Sequence, residues 1–486
     1  MKIVLRNIGL YFISALLLIF SGCNKKEDLP STKLQVNGFV WNAMNQFYYW
    51  QSDVIELRDD LASSGNELNA LLDSYSAPES LFEDLLYEDD RFSWIVDDYE
   101  ELEASFQGIS KSFGYEFGLI NPSGSEVVYG FVKYVVEGSP ADNAEIVRGD
   151  IFTKVDGQSL NTSNYVSLLF EQDSYTLTFG EVVEGDVTSI DKTASVSAIE
   201  LTENPIFLSQ VIDLDGINVG YLVYNQFVNN DQYHSQLNAI FGEFKNESVS
   251  ELVLDLRYNP GGSIFTTQLL ASMIYGAASS SQVFGSVVYN EKLTEIFAGE
   301  DLNYYFYETI PSSGESLNRL SINRVFILTS SSTASASELI IAGLSPYMEV
   351  VLIGDKTVGK NVGSVTLYDS PSEAYLDKGS DLNGNHKYAI QPIISQLANS
   401  NNFTDYINGF EPDVLIQEKN LVGEIKQLGD TEEQLLASAL NTISGVARFS
   451  AVIPKEYFKE IYDSKDRKKY LETIRLDSKK LSISYQ

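Results

Sequence analysis

Apolar residues recur at three- and four-residue intervals from about Leu34 to Phe106, at Val40, Met44, Phe47 and Tyr48 and again at Leu68, Leu71, Leu72, Leu81, Leu85 and Leu86. Acidic residues fill the faces between, and that period predicts amphipathic helices. Tyr48, Tyr49 and Trp50 share the period and read as core, so the region is a helical cap with no chemistry of its own. Between about Gly108 and Phe179 the pattern changes to short β-runs parted by turn residues, at 115–120, 130–136, 150–157 and 175–179. Residues 181–204 are polar and β-prone and read as the return of the chain to a main domain. There, strand patterns at 217–224, 251–256, 324–329 and 349–354 alternate with helical ones at 232–244, at 264–275 and after 335, with a last helix over 431–441. Such alternation predicts an α/β fold, a mostly parallel sheet with helices on its faces.

Two of the strand-to-helix junctions carry unusual residues. The strand at 251–256 runs into Arg257-Tyr-Asn-Pro-Gly261-Gly262-Ser263, where paired glycines permit positive φ and close approach to a ligand at a helix N-terminus. The strand at 324–329 runs into Ser331-Ser-Thr-Ala-Ser335-Ala336-Ser337-Glu338, at the head of an apolar helix. A capping box accounts for Ser335, Ser337 and Glu338. The same geometry also lifts a serine to a helix N-terminus, where free N–H groups stabilise developing negative charge. Lys360 follows Ser335 by 25 residues, past the strand at 349–354. Lysine replaces histidine as a base for serine only when uncharged, which burial in an apolar pocket favours. Lys356 adjoins Asp355, a carboxylate that keeps it charged. The two histidines, His234 on a surface helix and His386 in a polar loop, suit neither a triad nor a metal site.

Length and charge narrow the class. At 486 residues the chain holds several domains, and its net charge of −35 argues against nucleic acid as a partner. Lys2 and Arg6 precede an apolar run, 8–20, that ends in Ser21-Gly22-Cys23. This is a secretory signal, shorter than the about 20 residues of a membrane span. Leu18-Ile-Phe-Ser-Gly-Cys23 resembles a bacterial lipoprotein cleavage site, which implies a lipid on Cys23. The tether that follows, Asn24 to Asp28, is similar to sorting signals that send lipoproteins to the outer face of the outer membrane, with a plain linker as the alternative. Cys23 is the only cysteine, so neither a disulfide nor a thiolate metal site is expected, and no cofactor is called for. Residues 455–486 are locally basic, densest at 465–469, and read as a solvated helix face or frayed tail.

Residues 108–182, through Gly138-Ser-Pro-Ala to Arg148-Gly149-Asp150, resemble a PDZ domain. The resemblance implies that a peptide C-terminus adds as a strand, with Tyr115-Glu-Phe117-Gly118-Leu119 as its carboxylate-binding loop. The succession of helical cap, PDZ domain, Asp255 to Gly262, Thr333 to Glu338 and Thr357-Val-Gly-Lys360 resembles family S41, the carboxy-terminal processing (tail-specific) serine peptidases. It implies a ClpP- or crotonase-like core and the division 1–23 signal, 24–33 tether, 34–107 cap, 108–182 PDZ domain, 183–442 core and 443–486 extension. By the same resemblance Ser335 is the nucleophile and Lys360 the general base, with Ala336 N–H and a glycine N–H from Gly261 or Gly262 forming the oxyanion hole. Many members carry a glutamine four residues after the lysine, where this chain has Ser364; Ser364 or Gln391 then orients the amine, or no third residue does. The implied activity is cleavage of peptide bonds in protein or peptide substrates with accessible C-termini. The alternative is a non-enzymatic peptide-binding lipoprotein on a degenerate scaffold, while crotonase-like acyl-CoA chemistry sits badly with export and a PDZ domain.

Overall fold

Along the strand Arg324–Thr329, successive side chains enter two different cores, Val325 and Ile327 on one face and Phe326 and Leu328 on the other. A strand of this kind needs cover on both faces, the condition met inside a parallel α/β sheet. The computed structural model, which describes residues 32–122, 124–445, 458–465, 474–476, 478 and 481, places it centrally in a six-stranded sheet. The order is Ile206–Leu214, Ile217–Tyr224, Glu251–Asp255, Arg324–Thr329, Glu349–Gly354, Val414–Leu415, parallel except for the first pair. Helices Asp231–Asn246, Ile264–Ile274 and Ala336–Leu344, with the cap helix Thr32–Phe47, share one core; Gln434–Ile443 covers the other face through Leu435, Leu436, Ala439 and Leu440. The signal, Cys23 and the tether to residue 31 lie outside the described residues.

A second sheet gathers the loops that leave the first, in the order Gly262–Ser263, Ile474–Arg475, Val362–Ser364, Ile393–Asn399, Val283–Tyr289, Asn303–Tyr305. The cap joins the core through Trp94–Val96, antiparallel to Ala389–Gln391.

The PDZ domain is one antiparallel sheet of order Phe458–Asp463, Tyr115–Pro122, Tyr129–Val135, Ile151–Val155, Ser174–Val183, Asp186–Ser197. Two sequence-based expectations are corrected here. Residues 186–197 are no connection to the core but the long outer strand of this sheet, so the domain runs past residue 182. That strand buries only Ala194 and Val196, which is why its polar alternation reads as a linker. The tail is also not a solvated helix face or frayed end where it begins to be described. Phe458–Asp463 is an edge strand, and Lys465 is buried.

Arg148, at the end of the PDZ signature, fixes this domain to the core. Its guanidinium meets Glu418 at 2.5 Å and donates to the Tyr258 hydroxyl and to Lys426 O, beside Arg257, which pairs with Glu433 at 2.7 Å and Asp255 at 2.8 Å. Burial alone would push the Glu418 carboxyl up, but the two guanidinium groups outweigh it and hold it at about 2. A carboxyl lowered by folding stabilises the fold fully above its ordinary value near 4.5 and loses that contribution as pH falls toward 2. The thermal midpoint should therefore respond to this cluster only below about pH 4.5, and a Glu418→Gln variant should show a flatter acid limb than the wild type in melts across pH 2–5.

Candidate active site

Ser335 sits immediately before the helix Ala336–Leu344, every residue of which is buried, with φ +65° and ψ −113°. A serine in left-handed backbone is strained, and the turn is held from several sides. Ser335 N–H donates to Glu338 Oε2 at 2.8 Å, Ala334 N–H and the Ser337 hydroxyl donate to Asn259 O at 3.2 and 3.0 Å, and the Thr333 hydroxyl donates to Leu256 O at 2.9 Å. Ser337 thus braces the turn against the glycine loop and does not cap the helix. The Ser335 Oγ itself is buried; the Glu338 N–H approaches it in a capping box, but no full hydrogen bond forms. A buried hydroxyl in that state is costly and calls for a reason other than stability.

Gly261 lies against it. With φ +116°, a Cβ at this position would stand 2.7 Å from Ser335 Cβ and 3.1 Å from Ala336 N, so only glycine allows the loop to approach. Gly262 has a similar constraint from the Phe227 carbonyl, 2.3 Å from where its Cβ would be. One expectation changes. The Gly261 N–H donates to Asn259 Oδ1 at 2.9 Å, so it is not free for a substrate oxygen in this conformation. Asn259 in turn is anchored by its Nδ2 donating to Tyr224 O at 2.7 Å.

Lys360 is 1% exposed and follows the strand Glu349–Gly354. Its backbone N–H donates to Glu338 Oε2 at 2.8 Å, the same oxygen that receives the Ser335 N–H. Glu338 Oε1 accepts from the Thr357 hydroxyl and from Gly359 N–H, both at 2.6 Å. One buried carboxylate therefore ties the serine turn to the lysine loop. Burial pushes this carboxyl above its ordinary value, and its four donors pull the other way.

The Lys360 ammonium position lies 4.7 Å from the centroid of the Phe92 ring. Phe92 comes from the cap, where Arg91 also donates to Gly359 O and Ile407 O at 3.1 Å each. The cap thus reaches the candidate site, contrary to its reading as inert. No sequence signal marks Phe92, which follows the helical stripe in an unpatterned stretch. Ser364 and Gln391 are brought together in the strands beyond Lys360. Gln391 Nε2 donates to Ser364 Oγ at 3.2 Å, and its Oε1 accepts from the Thr366 hydroxyl at 2.6 Å. Lys356 is turned away, paired with Glu411 at 2.7 Å and not with Asp355. His234 is buried, not on the surface, with Nε2 2.9 Å from Thr266 Oγ1; His386 lies 3.0 Å from Asp369. Among the described residues no cluster of His, Cys, Asp and Glu is arranged to hold a metal.

In the PDZ domain, Gly118 and Leu119 pair with Asp463 and Tyr462 of the tail, and Phe117 N–H donates to Ser464 Oγ at 2.9 Å. Tyr115 belongs to the domain core, its hydroxyl 2.7 Å from that of Tyr175.

Residues 218–414 match the profile of peptidase family S41, residues 35–94 that of the peptidase S41 N-terminal domain and residues 131–177 that of the PDZ domain. The chain is 28% identical over 304 residues to a carboxyl-terminal-processing protease of Picosynechococcus sp., covering 61% of this chain and 66% of that one. It is 22% identical over 349 residues to a protein named CtpA-like serine protease from Staphylococcus haemolyticus, covering 71% of this chain and 60% of the relative. The matches thus span roughly three fifths to two thirds of the curated relatives' length. A crystal structure assigned to the S41 proteases, from Bacteroides fragilis NCTC 9343, superposes with a TM-score of 0.66 at 28% identity, covering 84% of this chain and 97% of that one.

Proposed function

Since the chain belongs to peptidase family S41, we propose that it is a serine endopeptidase in which Ser335 attacks a peptide carbonyl and Lys360 is the general base. The uncharged Lys360 amine takes the Ser335 proton during attack, and the ammonium that results faces the Phe92 ring, whose negative face favours a cation. That proton passes to the leaving amine, and water then hydrolyses the acyl-enzyme. Ala336 N–H receives the oxyanion with an N–H of the Gly261–Gly262 loop; if that donor is Gly261, substrate must first displace Asn259 Oδ1. Gln391 acts through Ser364 to steady the strand that follows the lysine. The PDZ edge at Phe117, Gly118 and Leu119 recognises accessible substrate C-termini. The N-terminal sequence supports an exported form held at the outer membrane by a lipid on Cys23.

The observation that carries this reading is the Ser335 hydroxyl, buried, strained and making no full hydrogen bond, on a turn tied through Glu338 to Lys360. A fluorophosphonate probe, applied at alkaline pH with prolonged incubation, should label the wild type on Ser335 and leave Ser335→Ala unlabelled, as read by peptide mass spectrometry. Failure to label the wild type, both alone and with an added polypeptide, would leave the non-enzymatic peptide-binding scaffold as the better reading.

A further inference from the structure

The edge at which a PDZ domain adds a peptide strand is already occupied by the chain itself. Phe458–Asp463 runs antiparallel to Tyr115–Pro122, in the register Glu460 to Ile120, Tyr462 to Leu119 and Asp463 to Gly118. This is the pairing expected of a peptide ligand at a sheet edge, main chain to main chain with side chains entering the groove. The Tyr462 ring enters it, 5.2 Å from Phe170 and 5.8 Å from Tyr165 at the helix Tyr165–Leu169. Polar contacts continue the fit: Asp463 pairs with buried Lys133 at 2.8 Å, and the Ser464 hydroxyl donates to Glu116 at 2.5 Å while accepting from Phe117 N–H.

The same segment leads from the PDZ domain toward the serine and glycine loops. The Ser332 hydroxyl, three residues before Ser335, donates to Asp463 Oδ2, and the Lys465 amine donates to the carbonyl of Tyr258. Further along, Ile474–Arg475 forms a strand inserted between Gly262–Ser263 and Val362–Ser364, parallel to both. Leu476 N–H donates to Ser364 O at 3.1 Å, and the Arg475 guanidinium stacks on Phe106 of the cap at 3.8 Å. The tail thus takes a strand position between the glycine loop and the strand that begins two residues after Lys360, where the main chain of an extended substrate would pair.

We propose that the C-terminal segment is the resident ligand of both the PDZ edge and the cleft, holding the protein in a latent form that an incoming polypeptide must open by displacement. This rests on the peptidase reading for what the cleft does, though not for what fills it. Attached to the same chain, the tail competes at an effective concentration on the order of millimolar, so weak contacts suffice to keep it seated. An extended peptide of the same polarity, apolar at the position of Tyr462 and acidic at that of Asp463, is the chemistry that would displace it.

The test uses the full chain and, as probe, a fluorescein-labelled octapeptide with the sequence of residues 458–465. Tyr462→Asp sets a charge among Tyr165 and Phe170, and, independently, Asp463→Lys sets a cation against Lys133; either should unseat the tail in cis. Each variant is expected to bind the probe at least about tenfold more tightly than the wild type by fluorescence anisotropy, and to cleave added casein faster by a similar factor. Equal affinity of wild type and both variants for the probe, whether tight or absent, overturns the proposal. Tighter probe binding with no casein cleavage in any form keeps the tail as ligand and overturns the peptidase reading. Cleavage with unchanged probe binding does the reverse. Two variants on opposite chemical grounds, each with its thermal midpoint measured, separate release of the tail from misfolding.

Discussion

Ser335→Ala is expected to reduce peptide turnover by at least roughly 10³-fold while leaving the thermal midpoint unchanged or higher. The two halves of that result come from one atom. A serine that serves as a helix N-cap loses about 1 kcal/mol of stability when cut to alanine, because a helix N–H loses its acceptor. Here the Oγ makes no full hydrogen bond and only faces the Glu338 N–H of the capping box, so its removal costs little of a cap's worth and relieves a buried polar group of a desolvation cost of about 1–3 kcal/mol. The cap function is already carried by Glu338, whose Oε2 holds the Ser335 N–H. Ser335→Gly should be more stable again, since φ +65° costs a residue with a Cβ about 1–2 kcal/mol, less the about 0.5–1 kcal/mol of glycine's entropy. Calorimetry beside a turnover assay decides the matter. A lower midpoint with modest loss of turnover would make Ser335 a structural cap, and the dyad would fail with it.

What the sequence made legible follows from how local each signal is. The strand at 324–329, the serine turn and the apolar helix are contiguous, so their pattern and small residues identify a candidate nucleophile before any contact is known. The glycine loop is legible for the same reason, since paired glycines between a strand and a helix mark a close turn, although the groups they make room for, Ser335 and the Phe227 carbonyl, lie elsewhere in the chain. Contacts that cross the chain were not. Phe92 meets Lys360 from 268 residues' distance in sequence, the separation at which Arg91 reaches Gly359. Asn259 looks like an ordinary turn residue until its side chain is seen to hold the Gly261 N–H. The tail is the clearest case. Phe458–Asp463 alternates poorly, and its Lys459, Glu460 and Asp463 give a charged, solvated reading. Its order comes from a sheet edge more than 330 residues earlier, with Lys133 waiting for Asp463. Charge read along a chain reports solvation only where no buried counter-charge exists elsewhere, and here one does.

Glu338 offers the second large effect, because the carboxylate that joins the serine turn to the lysine loop serves four donors at once. Glu338→Ala strands the Thr357 hydroxyl and the N–H groups of Ser335, Gly359 and Lys360 in a buried space, at about 1–3 kcal/mol for each that water fails to reach. A loss of at least about 3 kcal/mol in chemical denaturation is expected, with turnover lost as well. Glu338→Gln is the sharper probe. The amide keeps the shape but replaces one oxygen with a donor. On the Oε2 side it would confront two N–H groups; on the Oε1 side only Gly359 N–H, since the Thr357 hydroxyl can turn to accept. The amide should settle that way, keeping the shared oxygen between Ser335 and Lys360 and loosening the loop at Gly359. On the proposed dyad Glu338 positions both groups without touching substrate, so Glu338→Gln should lower kcat by about tenfold or more with KM little changed, and stability should fall less than in Glu338→Ala. Wild-type kcat in Glu338→Gln would mean that the link through Glu338 holds the fold together and has no part in aligning the serine with the lysine.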